Sequence, residues 1–134
     1  MQFNQATDYA FRVIMHLADM PEGEIINSQT IAEKQHIPVG FLQKVMRALT
    51  KGEVINSYRG IDGGFALAKP AKDISLLDII TIMEGPIELQ RCLKDNKMCS
   101  KGCAPQCTVH AALAVIQTDF IQALDNINFD KLIK

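Results

Sequence analysis

A proline in the first third of the chain divides one long segment into two short helices. Pro38 disfavours helical geometry at Ile37, so the apolar-periodic segment before it has to end near His36. The same proline suits the first turn of a new helix, where its missing N–H costs nothing. Gly52 is a natural stop for that second helix. Two short helices joined by a tight turn are typical of a helix-turn-helix.

The second of these helices has two chemically different faces. Its apolar residues predict a buried stripe made of Phe41, Leu42, Val45, Met46 and Leu49. The other side carries small, polar and basic residues, namely Val39, Gly40, Gln43, Lys44 and Arg47. This face predicts a recognition helix. Gln43 and Lys44, flanked by Val39 and Gly40, are then expected to face the major groove, where glutamine pairs bidentately with adenine.

A glycine-rich hairpin follows the predicted recognition helix. Residues 54–58 are β-prone, residues 65–68 alternate apolar and small side chains, and the turn between them contains Gly60 and Gly63. A hairpin in this place predicts a wing, with Arg59 at its edge positioned for a minor groove. The sequence therefore predicts a mainly α fold with a small β-hairpin wing, a winged helix-turn-helix.

Helices are also predicted before and after this module. A first helix stops at Pro21, and Ser75 with Asp78 predicts a capping box for another. From about Thr108 the apolar residues are spaced 4, 3, 4, 3 and 4 apart, at Val109, Leu113, Ile116, Phe120, Ala123 and Ile127. A seam this long predicts a C-terminal homodimerisation helix, with packing onto the N-terminal helix as the alternative.

These elements predict three regions along the chain. Residues 1–86 form the DNA-binding domain, residues 87–107 a cysteine loop, and residues 108–134 the dimerisation helix and tail. The absence of a long apolar run or a signal-peptide pattern predicts a cytoplasmic protein with no membrane segment.

The charge distribution agrees with a nucleic-acid partner more than the net charge does. The 134-residue chain has a net charge of −1, but residues 28–72 carry seven Lys and Arg against three acidic residues, a local charge of +4. A basic middle with acidic ends is an electrostatic footprint that suits a double-stranded DNA partner, while charge alone favours an ordinary solvated face. Lys34, Arg47 and Lys51 are the predicted phosphate contacts.

All four cysteines lie within one short segment. Their spacing is Cys92-x6-Cys99-x3-Cys103-x3-Cys107. Thiolates select zinc, Cu(I) or iron–sulfur clusters. The spacing by itself does not decide between an iron–sulfur cluster, zinc and a disulfide switch. His110, one helical turn after Cys107, is a further donor or a solvent-facing histidine. No nucleophile–base constellation occurs beyond the cysteines, so an enzyme is not predicted.

Several blocks together resemble the IscR/NsrR group of bacterial winged-helix regulators, the Rrf-type family, over essentially the full length. They are Thr7-Asp8-Tyr9-Ala10, Ile31-Ala32-Glu33, Phe41-Leu42-Gln43-Lys44, the wing from Arg59 to Leu67, Lys69-Pro70-Ala71, the stretch from Ile74 to Ile80, and Cys107-Thr108-Val109-His110.

The resemblance implies a homodimer on a pseudo-palindromic operator and an iron–sulfur cluster, 2Fe-2S or 4Fe-4S, on the cysteine loop. Family members use three loop cysteines. Cys92 and Cys107 match the outer two, while the middle position fits Cys99 or Cys103. The remaining ligand is implied to be Asp8 from the partner subunit, as in nitric-oxide-sensing relatives, or His110, as in regulators of cluster biogenesis. A fourth thiolate would need neither.

The predicted function is a transcriptional regulator, a repressor by expectation, whose DNA affinity follows a cluster that senses nitric oxide, redox state or iron–sulfur status. One alternative is a cluster-free thiol-switch or partner-controlled regulator of the same family. The other is an iron–sulfur or zinc protein without a DNA role, which the basic helix-turn-helix and wing disfavour.

Overall fold

The structure is a computed structural model that describes residues 2–103 and 106–133. Its helices are α1 (Gln5–Ala18), α2 (Ser28–Gln35), α3 (Val39–Lys51), α4 (Leu76–Glu84), α5 (Arg91–Lys94) and α6 (Thr108–Asp125), and its strands are β1 (Ile55–Tyr58) and β2 (Gly64–Leu67). Single 3-10 turns cover Ala71–Asp73, Asn96–Met98 and Phe129–Lys131. Within the described ranges, every helix is too short or too polar to cross a membrane.

Side-chain caps fix where α1 and α4 begin. Asn4 accepts the Thr7 N–H at 2.9 Å before α1. Ser75 and Asp78 form the predicted capping box before α4: the Asp78 N–H donates to Ser75 Oγ at 3.1 Å, and the Ser75 N–H donates to Asp78 Oδ2 at 2.9 Å. The caps satisfy N–H groups that have no partner inside the helix.

The helix-turn-helix forms where the proline predicted it. α2 ends at Gln35, its C-cap residue His36 takes the left-handed conformation with φ 55°, and Pro38 is the N-cap residue of α3. The buried stripe of α3 consists of Leu42, Val45, Met46 and Leu49.

Phe41 was predicted to lie in this stripe, and that prediction is wrong. Its side chain is 40% exposed, and its ring packs edge-on against Tyr9 of α1 with the centroids 5.1 Å apart. Phe41 lies beside the stripe, so its ring covers the junction between α1 and α3 instead of filling the core.

The wing is a two-stranded antiparallel hairpin. Ile55 pairs with Leu67 at one end and Tyr58 with Gly64 at the other. A Cβ on Gly63 would collide with the Tyr58 carbonyl oxygen, so the turn requires glycine there. Ile26 and Phe65 exchange two backbone hydrogen bonds, 3.0 and 2.8 Å long, which join the wing to the segment before α2. The wing is therefore held at a fixed position relative to the helix-turn-helix.

The chain after α6 returns to the DNA-binding module. Ile127 O accepts the Leu76 N–H at 3.0 Å, and the Phe129 N–H donates to Ile74 O at 2.9 Å. Phe129 is fully buried, with its ring centroid 6.4 Å from that of Phe11 on α1. Ile127 was predicted to continue the helical seam, and that prediction is wrong. α6 ends at Asp125, and Ile127 belongs to the segment that returns to the DNA-binding module.

α6 packs on α4 and α5, and no residue of it is buried. Ile116, with 54% of its surface exposed, and Val109 and Phe120 are among its open apolar side chains. The long helix therefore leaves apolar surface uncovered in a single chain.

Truncating Phe129 is expected to destabilise the whole module. Phe129→Ala removes a fully buried ring, and such cavities cost about 3–5 kcal/mol. Urea unfolding followed by circular dichroism measures the free energy of unfolding. Phe3→Ala, which removes the same ring from a half-exposed position, is the control. Equal stability losses in the two variants would contradict the buried position of Phe129.

Candidate cysteine site and DNA-binding face

The exposed side of α3 and the wing enclose one groove of about 600 Å³. Gln43, Arg47 and Lys51 project from α3, and Arg59 lines the groove from the wing. The remaining predicted DNA-binding residues are all exposed or half-exposed, namely Lys34, Val39, Gly40, Lys44, Gly60 and Gly63. Ser28 and Ser57 also line the groove. They were not predicted, because an isolated serine gives no pattern in a sequence.

The cations of this face are not neutralised by the protein. Within residues 2–103 and 106–133, Lys34, Lys44, Arg47, Lys51 and Arg59 form no salt bridge to a carboxylate, and the salt bridge that the structure contains joins Arg12 to Asp8. A basic groove without internal counterions attracts phosphate.

Asp8 lies at the end of a chain of contacts that reaches the recognition helix. Its Oδ2 accepts a hydrogen bond from Arg12 Nη2 at 2.7 Å. Arg12 Nη1 donates to the carbonyl oxygen of Gln35, the last residue of α2, at 3.1 Å. The guanidinium also lies 5.2 Å from the ring centroid of Tyr9, which packs against Phe41 of α3. Arg12 therefore supports both sides of the helix-turn-helix junction.

Cys92 and His110 come together where α5 meets α6. Cys92 is the buried residue of α5, so the predicted cysteine loop begins with a short helix. His110 Nδ1 lies 3.1 Å from Cys92 Sγ. Of the two alternatives for His110, this contact favours the further donor over the solvent-facing histidine, because the first turn of α6 directs the imidazole at the thiol.

Cys99 and Cys103 are brought together by a turn. The Gly102 N–H donates to the Cys99 carbonyl oxygen at 3.1 Å, and Gly102 has φ 72°, a conformation that glycine adopts without strain. The turn brings Cys99 Sγ within 3.9 Å of Cys103 Sγ. A hydrogen bond with the Cys107 side chain, then burial, raises the pKa of Cys103 to about 11.

Cys107 is the N-cap residue of α6. The backbone N–H groups of His110 and then Val109 lower the pKa of Cys107, because they stabilise a thiolate at the helix N-terminus. Cys103 and Cys107 are therefore neighbouring thiols whose pKa values are shifted in opposite directions.

The donor set suits a soft metal centre, although one chain does not assemble it completely. Four thiols and one imidazole lie on α5, on the start of α6 and on the segment between them, and thiolate is the ligand that iron–sulfur iron prefers. Over the described ranges, no three His, Cys, Asp or Glu side chains come close enough together to hold a metal ion. The residues thus fit such a group by their chemistry, and holding it would require the cysteine turn to move.

The opposite pKa shifts predict different alkylation rates in the cluster-free protein. At pH 7–8 iodoacetamide is expected to modify Cys107 faster than Cys103, since only a thiolate reacts. Raising the pH toward the pKa of Cys103, about 11, should bring the two rates together. Tandem mass spectrometry locates the adducts, and the protein unfolded in urea is the control. A faster reaction at Cys103 in the folded protein at pH 7 would contradict the geometry.

Comparison with known proteins places the fold and the family. CymR (YrzC), the global cysteine regulator of B. subtilis, superimposes with a TM-score of 0.75 at 18% identity, covering 98% of this chain and 95% of that chain. The oxidised form of S. aureus CymR gives 0.73 at 24%, covering 100% and 97%. IscR from T. potens gives 0.75 at 20%, covering 98% and 85%. The Rrf2 family model, described as an iron-dependent transcriptional regulator, matches residues 3–134, and the chain therefore belongs to the Rrf2 family of transcriptional regulators.

Proposed function

We propose that this protein is a cytoplasmic, dimeric repressor whose operator affinity is set by an iron–sulfur cluster that senses nitric oxide, redox state or iron–sulfur status. The observation that carries the proposal is one chain with both an un-neutralised basic groove and a set of four thiols with an imidazole. An enzyme function does not fit, since the family consists of transcriptional regulators.

DNA recognition is assigned to the groove between α3 and the wing. Gln43 reads base edges in the major groove together with Lys44, and Val39 and Gly40 let the start of α3 approach closely. Arg59 enters the minor groove from the wing, where Gly60 and Gly63 shape the turn. The phosphate contacts are Lys34, Arg47 and Lys51.

The dimer is assigned to α6. This helix leaves Val109, Ile116 and Phe120 exposed, and contiguous apolar surface of this kind marks protein interaction sites. A second copy of α6 is the simplest partner that would bury this surface, since a two-fold axis pairs the same patch on both subunits. Two recognition helices related by that axis suit a pseudo-palindromic operator.

The cluster is assigned to Cys92, Cys107 and one or both of Cys99 and Cys103. His110 or Asp8 from the partner subunit would complete the ligand set where only three thiolates bind. When bound, the cluster supplies iron that reacts with nitric oxide or oxygen. The protein's part is to hold the thiolates, and the first turn of α6 does this for Cys107 by stabilising its thiolate.

Asp8 and Arg12 are assigned the role of transmitting a change at the cluster to the DNA-binding face. Withdrawing the Asp8 carboxylate from Arg12 would leave the guanidinium with the Gln35 carbonyl oxygen and the Tyr9 ring as neighbours. Both neighbours belong to the junction that positions α3. A coupling of about 1–3 kcal/mol at this junction changes DNA affinity roughly 5–150-fold, which is enough for a switch.

Anaerobic purification tests the cluster assignment. Absorption and Mössbauer spectra should show iron–sulfur in the wild type and its loss in Cys92→Ser and Cys107→Ser. Single Cys99→Ser, Cys103→Ser, Asp8→Ala and His110→Ala variants identify the remaining ligands, and Ser100→Ala is the control for disturbance of the turn. Gel-shift titration with a nitric-oxide donor measures operator affinity in each state.

Two results would contradict this assignment. Unchanged operator affinity after all four cysteines are replaced by serine, with and without the stimulus, would remove the sensing role. A colourless, iron-free protein after anaerobic purification would favour the cluster-free thiol-switch regulator instead.

Two substitutions in the groove should have different effects on DNA binding. Gln43→Ala is expected to lose about 1–3 kcal/mol and to relax the base preference at one operator position. Lys51→Ala should weaken all sequences equally and reduce the salt dependence of log K by about one unit. Fluorescence anisotropy at several salt concentrations measures both, with Lys131→Ala as the control outside the groove. Equal weakening of all operator variants by Gln43→Ala would contradict its role in base readout.

A further inference from the structure

We propose that Cys99 and Cys103 form an intramolecular disulfide in the cluster-free protein, which makes cluster loading depend on a reductant. If only three thiolates bind the cluster, one cysteine has no role as a ligand, and this disulfide gives that cysteine a function. The first observation is the distance: the two Sγ atoms lie 3.9 Å apart, and both side chains are partly exposed. A disulfide at about 2.05 Å needs the sulfurs to approach by roughly 2 Å.

The backbone between the two cysteines favours this approach. The hydrogen bond from the Gly102 N–H to the Cys99 carbonyl oxygen closes the turn at 3.1 Å. Gly102 reverses the chain with its positive φ of 72°, so that Cys103 lies beside Cys99. Among the residues that the structure describes, no atom lies within 4 Å of a Cβ added to Gly102. The turn lies outside the helices, and a shift of a side chain there breaks no helical hydrogen bond.

The other cysteines are less suited to this pairing. Cys92 is buried on α5 and its thiol contacts His110. Cys107 also hydrogen-bonds Cys103 through its side chain, but it is the N-cap residue of a helix of 18 residues, so closing that pair would pull on the start of α6. Cys99 and Cys103 are therefore the pair that can close with the smallest change of the helices around them.

A low-molecular-weight disulfide such as oxidised glutathione supplies the oxidant. One protein thiolate attacks a sulfur of glutathione disulfide, which releases one glutathione thiolate and leaves a mixed disulfide. The second protein thiolate attacks the mixed disulfide at the protein sulfur and releases the second glutathione. Overall, two protein thiols lose two electrons and two protons, and one glutathione disulfide becomes two glutathione thiols.

The disulfide would remove two of the four thiolates, since the thiolate is the form that binds metal. This consequence rests on the proposed function. Cys92, Cys107 and His110 would remain, and a cluster that draws on Cys99 or Cys103 could load only after reduction. The same turn would then respond to cluster loss and to the thiol–disulfide balance.

Peptide mapping tests the disulfide on the full-length, cluster-free protein. The protein is treated with oxidised glutathione, blocked with N-ethylmaleimide and digested with trypsin. Cleavage after Lys97 and Lys101 separates Cys99, on residues 98–101, from Cys103 and Cys107, on residues 102–131. A cross-linked pair of these peptides is expected. It should persist in Cys107→Ser and Cys92→Ser and be lost in Cys103→Ser.

Four other results of the peptide mapping would overturn the proposal. The first two are a cross-link that persists in Cys103→Ser and a disulfide confined to residues 102–131. The other two are a stable glutathione adduct on Cys99 or Cys103 and the absence of any disulfide.

Cluster reconstitution tests the consequence separately. The oxidised protein should fail to gain cluster absorption, and dithiothreitol should restore it. Equal loading of the oxidised and reduced proteins would overturn the regulatory role. If the reduced protein also takes up no cluster, the proposed function fails while the mapped disulfide stands.

Discussion

Burial of Phe129 is the interaction on which the arrangement of the other elements depends. Its ring fills the core beside Phe11 of α1, and its backbone pairs with Ile74 just before α4. The C-terminal end of α6 is thereby fixed to the DNA-binding module, while the N-terminal end begins at Cys107 in the cysteine segment. Because packed interiors resist deformation, a displacement at the cysteine end would tilt α6 about its anchored end more readily than it would slide the helix.

α1 connects this anchor to the recognition helix. One part of α1 packs against Phe129, and Tyr9 and Arg12 contact the junction between α2 and α3. Asp8 holds Arg12 in place from the same helix. An exposed i, i+4 ion pair contributes only about 0.3–0.5 kcal/mol, so this pair matters less for stability than for the orientation of the guanidinium. A weak contact at such a place is easily exchanged, which is what a switch requires.

The sequence predicted those features that depend on neighbouring residues. Pro38 marked the helix-turn-helix, Gly63 marked the wing, and Ser75 with Asp78 marked the start of α4. It failed where distant segments decide the outcome. Nothing local distinguishes Phe129, which is buried, from Phe41, which is 40% exposed. α5 has only four residues, too few to show a helical period, so the Cys92–His110 contact could not be predicted.

The cysteine segment divides into a rigid part and an adaptable part. Cys92 lies on α5 against His110 of α6, and Cys107 caps α6, so these three residues are positioned by helices. Cys99 and Cys103 flank a turn that the hydrogen bond from the Gly102 N–H to the Cys99 carbonyl oxygen closes. In the proposed regulator the rigid part would transmit a change of cluster to the dimer helix, and the adaptable part would decide whether a cluster can bind. In that regulator an additional thiol on the turn would alter how the site is loaded without changing the residues that connect it to DNA.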